Sequence, residues 1–256
     1  MPLYGVVNAH LLLATVLIGA GIGLISGAFG KGGSAVSTPL LHLAGVPAMI
    51  AVASPLPATI PSTLLAGRSY ARAGHVDGRV VRIGLAVGLP ATAIGAVLTR
   101  WIPGGSLVLA TDALVLALGL RVLLKEHSAD DAGASRAVPL AITAAVVATV
   151  GLVSGLLGNS GGFLLAPLFM SVLHMPVRRA LGTSLALSAV LAVPGTLVHA
   201  WLGHIDWSLT LAFGLASIPL ASVGAAIALR MRERRLTLAF GAGLTALATG
   251  LLVFAH

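Results

Sequence analysis

Apolar runs of about 20 residues recur from one end of this chain to the other, separated by short polar or glycine-rich interruptions. A helix needs about 20 apolar residues to cross a bilayer. The runs are continuous rather than alternating, which excludes a β-barrel. The pattern predicts a first helix over 9–28, a short segment over 35–44, and a span over 50–70 with Pro55, Pro57 and Pro61 in its first half. Further spans are expected over 80–99 and 107–124. A polar linker containing Glu126, Asp130 and Asp131 then divides the chain. Beyond it the plan returns as a span over 138–157, a short segment over 163–173, and spans over 181–201, 207–229 and 236–254. The expected organisation is a first half over 1–124, a linker over 125–137 and a second half over 138–256.

Two interruptions stand out because they carry glycine rather than charge. Residues 26–39 read SGAFGKGGSAVSTP and residues 154–167 read SGLLGNSGGFLLAP. Each Gly costs a helix roughly 1 kcal/mol relative to Ala, so both stretches are predicted breaks in a membrane helix.

Composition agrees with the pattern. Of 256 residues, 57% are hydrophobic and only 9% charged, against about 25% charged in a soluble domain. The net charge of +8 is gathered in a few short loops, where it sets membrane orientation rather than marking a nucleic-acid surface. No cysteine is present, so neither a disulfide nor a thiolate metal site is available. No Lys or Arg precedes Lys31. A cleaved leader wants a positive start, so the first run is expected to stay as a helix.

The halves can be laid over one another. At an offset of 128, Gly23, Ser26, Gly27, Gly30, Gly33 and Pro39 meet Gly151, Ser154, Gly155, Gly158, Gly161 and Pro167. At an offset of 129, Pro47 meets Pro176, Gly74-His75-Val76-Asp77 meets Gly203-His204-Ile205-Asp206, and Pro90 meets Pro219. The ordered prolines and the paired Gly-His-x-Asp carry this repeat.

Charge placement relates the halves. Arg68, Arg72, Arg79 and Arg82 flank the first Gly-His-x-Asp loop, and no Lys or Arg lies in the second. The loop at Pro47 is uncharged, and its equivalent carries Arg178 and Arg179. The loop after Thr99 holds Arg100 alone, and its equivalent holds Arg230, Arg232, Arg234 and Arg235. Positive loops stay cytoplasmic, so the halves are expected in opposite orientations. The fold class is therefore an all-α polytopic membrane protein of two inverted-topology repeats, about five segments each, with helices broken at the glycine motifs. Both termini are expected outside and the linker inside; the broken segments either cross fully or form re-entrant hairpins. Inverted repeats with interrupted helices point to a transporter, and helix ends expose unpaired backbone groups that can hold a substrate.

The duplicated glycine motifs, the GHVD and GHID loops and the two-half layout resemble the TauE/SafE sulfite exporter family over nearly the whole chain. The resemblance implies a transporter of sulfite, sulfonates or related sulfur-containing anions across the bacterial inner membrane, usually outward. Lys31 would give one positive charge to the anion, or else snorkel to the interface. Asn159 and Ser160 would hydrogen-bond the anion, with backbone N–H groups around Gly30, Gly32, Gly33, Ser34, Gly158, Gly161 and Gly162. Those glycines serve equally well for close helix packing. Ser54, Thr183 and Ser184 either line the same cavity or bond their own helices.

Asp77 and Asp206 are read as N-caps that order turns with His75 and His204, the alternative being a proton relay. Asp112 is read as interfacial, and His42, His174 and His199 as isolated packing or interface residues. Other classes are a transporter or channel for another small solute or a cation, which would want buried acids, and a membrane enzyme, which would want paired acids, bases or metal ligands. No cofactor is expected, and no nucleotide-binding motif is present to drive transport by ATP. The partners expected are the lipid bilayer, a proton or sodium as coupling ion, and a second copy in a homodimer.

Overall fold

The structure, a computed structural model, describes residues 9–30, 34–103, 105–106, 109–110, 113, 117, 139–158, 160–236, 238–239 and 242–243. Helix α1 (Ala9–Ala28) is followed by α2 (Ser34–Leu43), α3 (Ala48–Ala53), α4 (Pro55–Arg72) and α5 (Gly78–Ile83). A π turn (Gly84–Gly88) joins α5 to α6 (Leu89–Leu98), which ends in a 3₁₀ turn (Thr99–Trp101). After the linker come α7 (Leu140–Leu156), α8 (Gly162–Ser171), α9 (Val177–Trp201) and α10 (Trp207–Arg230). Among the described residues five helical stretches are long and apolar enough to cross a membrane: Ala9–Ala28, Ala48–Arg72, Gly78–Trp101, Val177–Trp201 and Trp207–Arg230.

Three expected spans differ in detail. The span expected over 50–70 starts at Ala48 and divides at Ser54, because Pro55 has no N–H to give to the preceding turn. The span expected over 80–99 starts at Gly78 and contains the π turn one turn before Pro90. A proline ring clashes with the carbonyl four residues back, and widening that turn relieves the clash. The span expected over 181–201 starts at Val177, directly after Pro176. It carries Arg178 and Arg179, whose guanidinium groups reach Met231 O and Asp77. The linker and the expected spans over 107–124 and 236–254 lie almost wholly outside the described residues.

Two seams of small residues hold the bundle. In α1 the buried face runs Thr15, Gly19, Ile22, Gly23, Ser26, Gly27. A Cβ on Gly19 or Gly23 would stand 2.6 Å from Phe213 O or Ser217 O of α10, and one on Gly27 would enter the Ala221 backbone. On the other seam α7 lies along α6: a Cβ on Gly151 would stand 2.7 Å from Gly88 O, and one on Gly155 would enter the Thr92 backbone. Adding 128 to Gly23 and Gly27, and subtracting 129 from Ser217 and Ala221, turns the first set of contacts into the second. Without a hydrophobic drive inside lipid, such backbone approach is what binds helices. The centre is filled by α4 and α9, with Tyr70, Phe169, Leu165, Leu181, Leu185 and Leu191 buried. Leu13, Leu17, Leu197, Leu211 and Leu215 cover the outside of the bundle.

The two ends of the bundle differ. One collects arginine: Arg179 meets Asp77 at 3.2 Å, and Arg178 donates to Met231 O and lies 3.9 Å from Glu233. The other collects all three tryptophans of the chain, with the Arg100 guanidinium 5.1 Å from the Trp101 ring and 5.7 Å from that of Trp201.

Candidate functional site

Helices α1 and α7 each end within a glycine motif, at Ala28 and at Leu156. Beyond α1, Gly30 takes φ +62°; beyond α7, Gly158 takes φ +57° and Gly161 +72°. This left-handed region is open to Gly without a Cβ penalty. Each turn packs against the helix pair on the far side of the linker. A Cβ on Gly30 would stand 2.5 Å from Ser184 Oγ and 2.9 Å from Leu181 Cα in α9, and one on Gly158 would enter the Val52 side chain in α3. Ser184 donates to Gly30 O at 2.9 Å and to Leu181 O at 2.8 Å. The short helices α2 and α8, which leave the two turns, touch one another.

Hydroxyls gather where the turns begin. Ser26 and Ser154 hold matching places near the ends of α1 and α7, and Ser160 precedes Gly161. All three are buried, and none of their hydroxyls has a hydrogen-bond partner among the described residues. Gly161 lies directly over the Ser154 hydroxyl. Among the described residues the buried side chains with polar groups are Ser, Thr, Tyr70 and His199, and none is a carboxylate. Nor do those residues form a group of three His, Asp or Glu fit for a metal ion.

Lys31, Gly32, Gly33 and Asn159 lie outside the described residues, as does Asp112. Ser34 opens α2 and Gly162 opens α8. The structure thus brings Gly30 and Ser184 together at one turn, and Gly158, Ser160 and Gly161 at the other. Ser54 and Thr183 each receive a backbone N–H from across the linker. Ser54 Oγ accepts from Asp206 N at 3.0 Å, and Thr183 Oγ1 accepts from Asp77 N at 2.9 Å. Each hydroxyl docks a Gly-His-x-Asp corner from across the linker.

Asp77 caps α5 by accepting from Arg79 N and Val80 N, and Asp206 caps α10 by accepting from Ser208 N and Leu209 N. His42 holds its own turn, with Nδ1 3.0 Å from Val46 O. His174 takes φ +52° where the matching residue is Gly45. His199 is not isolated: its Nδ1 lies 3.1 Å from Nδ1 of His204, because the turn after α9 brings the second ring back onto the first. Sequence reading passed over this pair and the unpartnered Ser26 and Ser154, although the offset that aligns the glycines also aligns those two serines.

Known proteins resemble the chain over most of its length. A "Probable membrane transporter protein" of Xylella fastidiosa (strain 9a5c) is 30% identical over 223 residues, which cover 86% of this chain and 85% of the relative. "Probable membrane transporter protein YunE" of Bacillus subtilis (strain 168) is 26% identical over 254 residues, covering 87% and 90%. No solved structure matches the chain. The sequence profile of the sulfite exporter TauE/SafE family matches residues 15–251, and with that span, the apolar helices and relatives named as membrane transporters, the chain belongs to this family.

Proposed function

We propose that this protein is a secondary transporter that exports sulfite, an organosulfonate or a related small sulfur-containing anion across the bacterial inner membrane. The anion sits between the two glycine turns. The observation that carries this reading is the set of buried, unpartnered hydroxyls of Ser26, Ser154 and Ser160 beside those turns, with no buried carboxylate among the described residues. A buried polar group left without a partner asks for a ligand or water. Helix N-termini, here those of α2 and α8, favour an anion, and a hydroxyl can donate its proton to one. Lys31 adds the positive charge, Asn159 a further amide donor.

The chain works as two inverted repeats, 1–124 and 138–256, that exchange roles as the site opens to one side and then the other. The seams α1–α10 and α6–α7, which map onto each other residue by residue, support the repeat. The arginine end lies in the cytoplasm, with both termini outside and the linker over 125–137 inside. A proton or sodium gradient drives the cycle.

Thermal stability of the purified protein with sulfite, thiosulfate, sulfoacetate, taurine, sulfate and a series of cations tests this. A ligand at 100 times its Kd adds about 2.7 kcal/mol to a folded protein. The expected result is stabilisation by one sulfur-containing anion in the wild type, lost in Lys31→Ala, Asn159→Ala and Ser160→Ala. Stabilisation by sodium alone, unchanged in those variants, overturns the anion site.

A further inference from the structure

Under the offset of 129, Tyr70 corresponds to His199 and His75 to His204. The two matching places are built differently. Tyr70 is buried and donates its hydroxyl to Ala28 O at the end of α1, at 3.1 Å. His199, also fully buried, faces His204, with Nδ1 to Nδ1 at 3.1 Å, ring centroids 5.3 Å apart and planes tilted by 48°. Its Nε2 has no hydrogen-bond partner among the described residues, although the Gly155 backbone of α7 lies beside the ring.

Only one proton fits between two Nδ1 atoms, since one ring must donate and the other accept through its lone pair. The accepting ring carries its own proton on Nε2, so the neutral pair holds two protons, and a third has to go to the donor ring's Nε2 and leaves the pair charged. A buried charge is costly without a counter-charge. Around this pair the charged groups are engaged elsewhere. The Asp206 carboxylate accepts from Ser208 N and Leu209 N, and Arg100 lies against Trp101 and Trp201. Helices α6, α7 and α8, packed on α9, carry no titratable side chain. Those of α4 and α5, Arg68, Tyr70, Arg72, Arg79 and Arg82, lie toward the arginine end.

We propose that the His199–His204 pair is a proton-binding site of the transport cycle, and that a proton taken up there opens the tryptophan-end corner to water. The proposal rests on the transporter reading above. In the closed corner Asp206 N–H is docked on Ser54 Oγ, and Thr210 Oγ1 donates to Ser54 O at 2.8 Å. Charging the pair favours the arrangement in which the corner leaves Ser54 and the imidazoles meet solvent. Burial lowers the proton affinity of His204 below that of a free histidine, so acidification is what loads the corner. The arginine-end corner has no such switch. A tyrosine hydroxyl stands in place of His199, and the Arg179–Asp77 pair adds a second tie. One proton therefore acts on one end only, which gives the alternation a direction.

Two measurements without any anion test this. In 15N-histidine spectra from pH 5 to 8, the His199 and His204 signals, assigned by their loss in single variants, should move together as one coupled titration. Independent titration overturns the pair. The chain has no cysteine, so Ile205→Cys gives a unique reporter of the corner for a membrane-impermeant thiol reagent. Its labelling at pH 5.5 should exceed that of the same cysteine in His204→Gln several-fold, and the excess should vanish in His199→Tyr. Val76→Cys at the matching corner should show no excess. Equal labelling with and without His204 overturns the proposal, and His204→Gln decides this even where His199→Tyr fails to fold. A coupled titration in a protein that no sulfur-containing anion stabilises would sink the substrate reading and leave the proton site standing.

Discussion

The two Gly-His-x-Asp corners share a skeleton and differ in everything around it. Gly74 and Gly203 turn the chain with φ of +75° and +71°. Asp77 and Asp206 cap the next helix, and a hydroxyl from across the linker receives the backbone N–H of each Asp. Around Asp77 stand Arg79, Arg82 and Arg179. Around Asp206 stand Trp207, Trp201 and a pair of histidines. Turn, cap and docking bond are backbone needs, the same whichever face of a membrane they meet. Charge and aromatic rings answer to the face itself. What the corners share thus belongs to the turn, and what they do not share belongs to the end of the bundle at which each stands.

The widest test of that equivalence lies in the seams beneath the corners. Gly27→Val and Gly155→Val each force a side chain into facing backbone, at Ala221 and at Thr92. Overpacking a tight core costs typically 1–3 kcal/mol and occasionally more, and backbone on both sides puts these variants near the top of that range. Both should lose the monodisperse peak in size-exclusion chromatography. Collapse of one alone would show that the seams do not carry equal weight.

Next come the docking bonds. Ser54→Ala and Thr183→Ala each strand a backbone N–H, a loss of about 1–3 kcal/mol when buried. Hydrogen exchange at Asp206 and at Asp77 should quicken, more so at Asp206, because Arg179 still holds the other corner. Equal quickening would deny the ion pair any share in closing the arginine end. Smaller again are the caps. Asp206→Ala should cost about 1 kcal/mol, and Asp77→Ala that plus the roughly 0–1 kcal/mol of a part-exposed ion pair, read as a difference in unfolding midpoint.

Local chemistry made much of this legible in the sequence. The limits of α1 and the two Asp caps follow from runs and residues that lie side by side, and they stand in the structure as expected. The π turn before Pro90 was not legible, because a proline distributes its strain over the preceding turn without marking which residue yields. The docking role of Ser54 and Thr183 was not legible for another reason. Their partners lie 152 and 106 residues away, and no helical periodicity points across such a distance. His199 looked solitary because its partner arrives only once the turn after α9 closes. The repeat held a hint, since it sets His199 opposite a buried tyrosine, and two polar groups at matching depths imply something to bond.

The last and smallest difference between the corners is a slope. Burial lowers the affinity of folded His204 for a proton, so as pH falls through the ordinary histidine value of about 6.5 the unfolded chain takes up the proton first. The folded state is then fully favoured above that value and loses stability as pH drops from it toward the lowered one. The unfolding midpoint should therefore fall on going from pH 7 to pH 5.5 in the wild type, and fall less in His204→Gln. His204 is part-exposed, so solvent moderates the effect and the shift should be the slightest of those named here. Its sign still decides the matter: a midpoint that rises on acidification would mean that the closed corner welcomes the proton. In that event the pair would lock the tryptophan end instead of opening it.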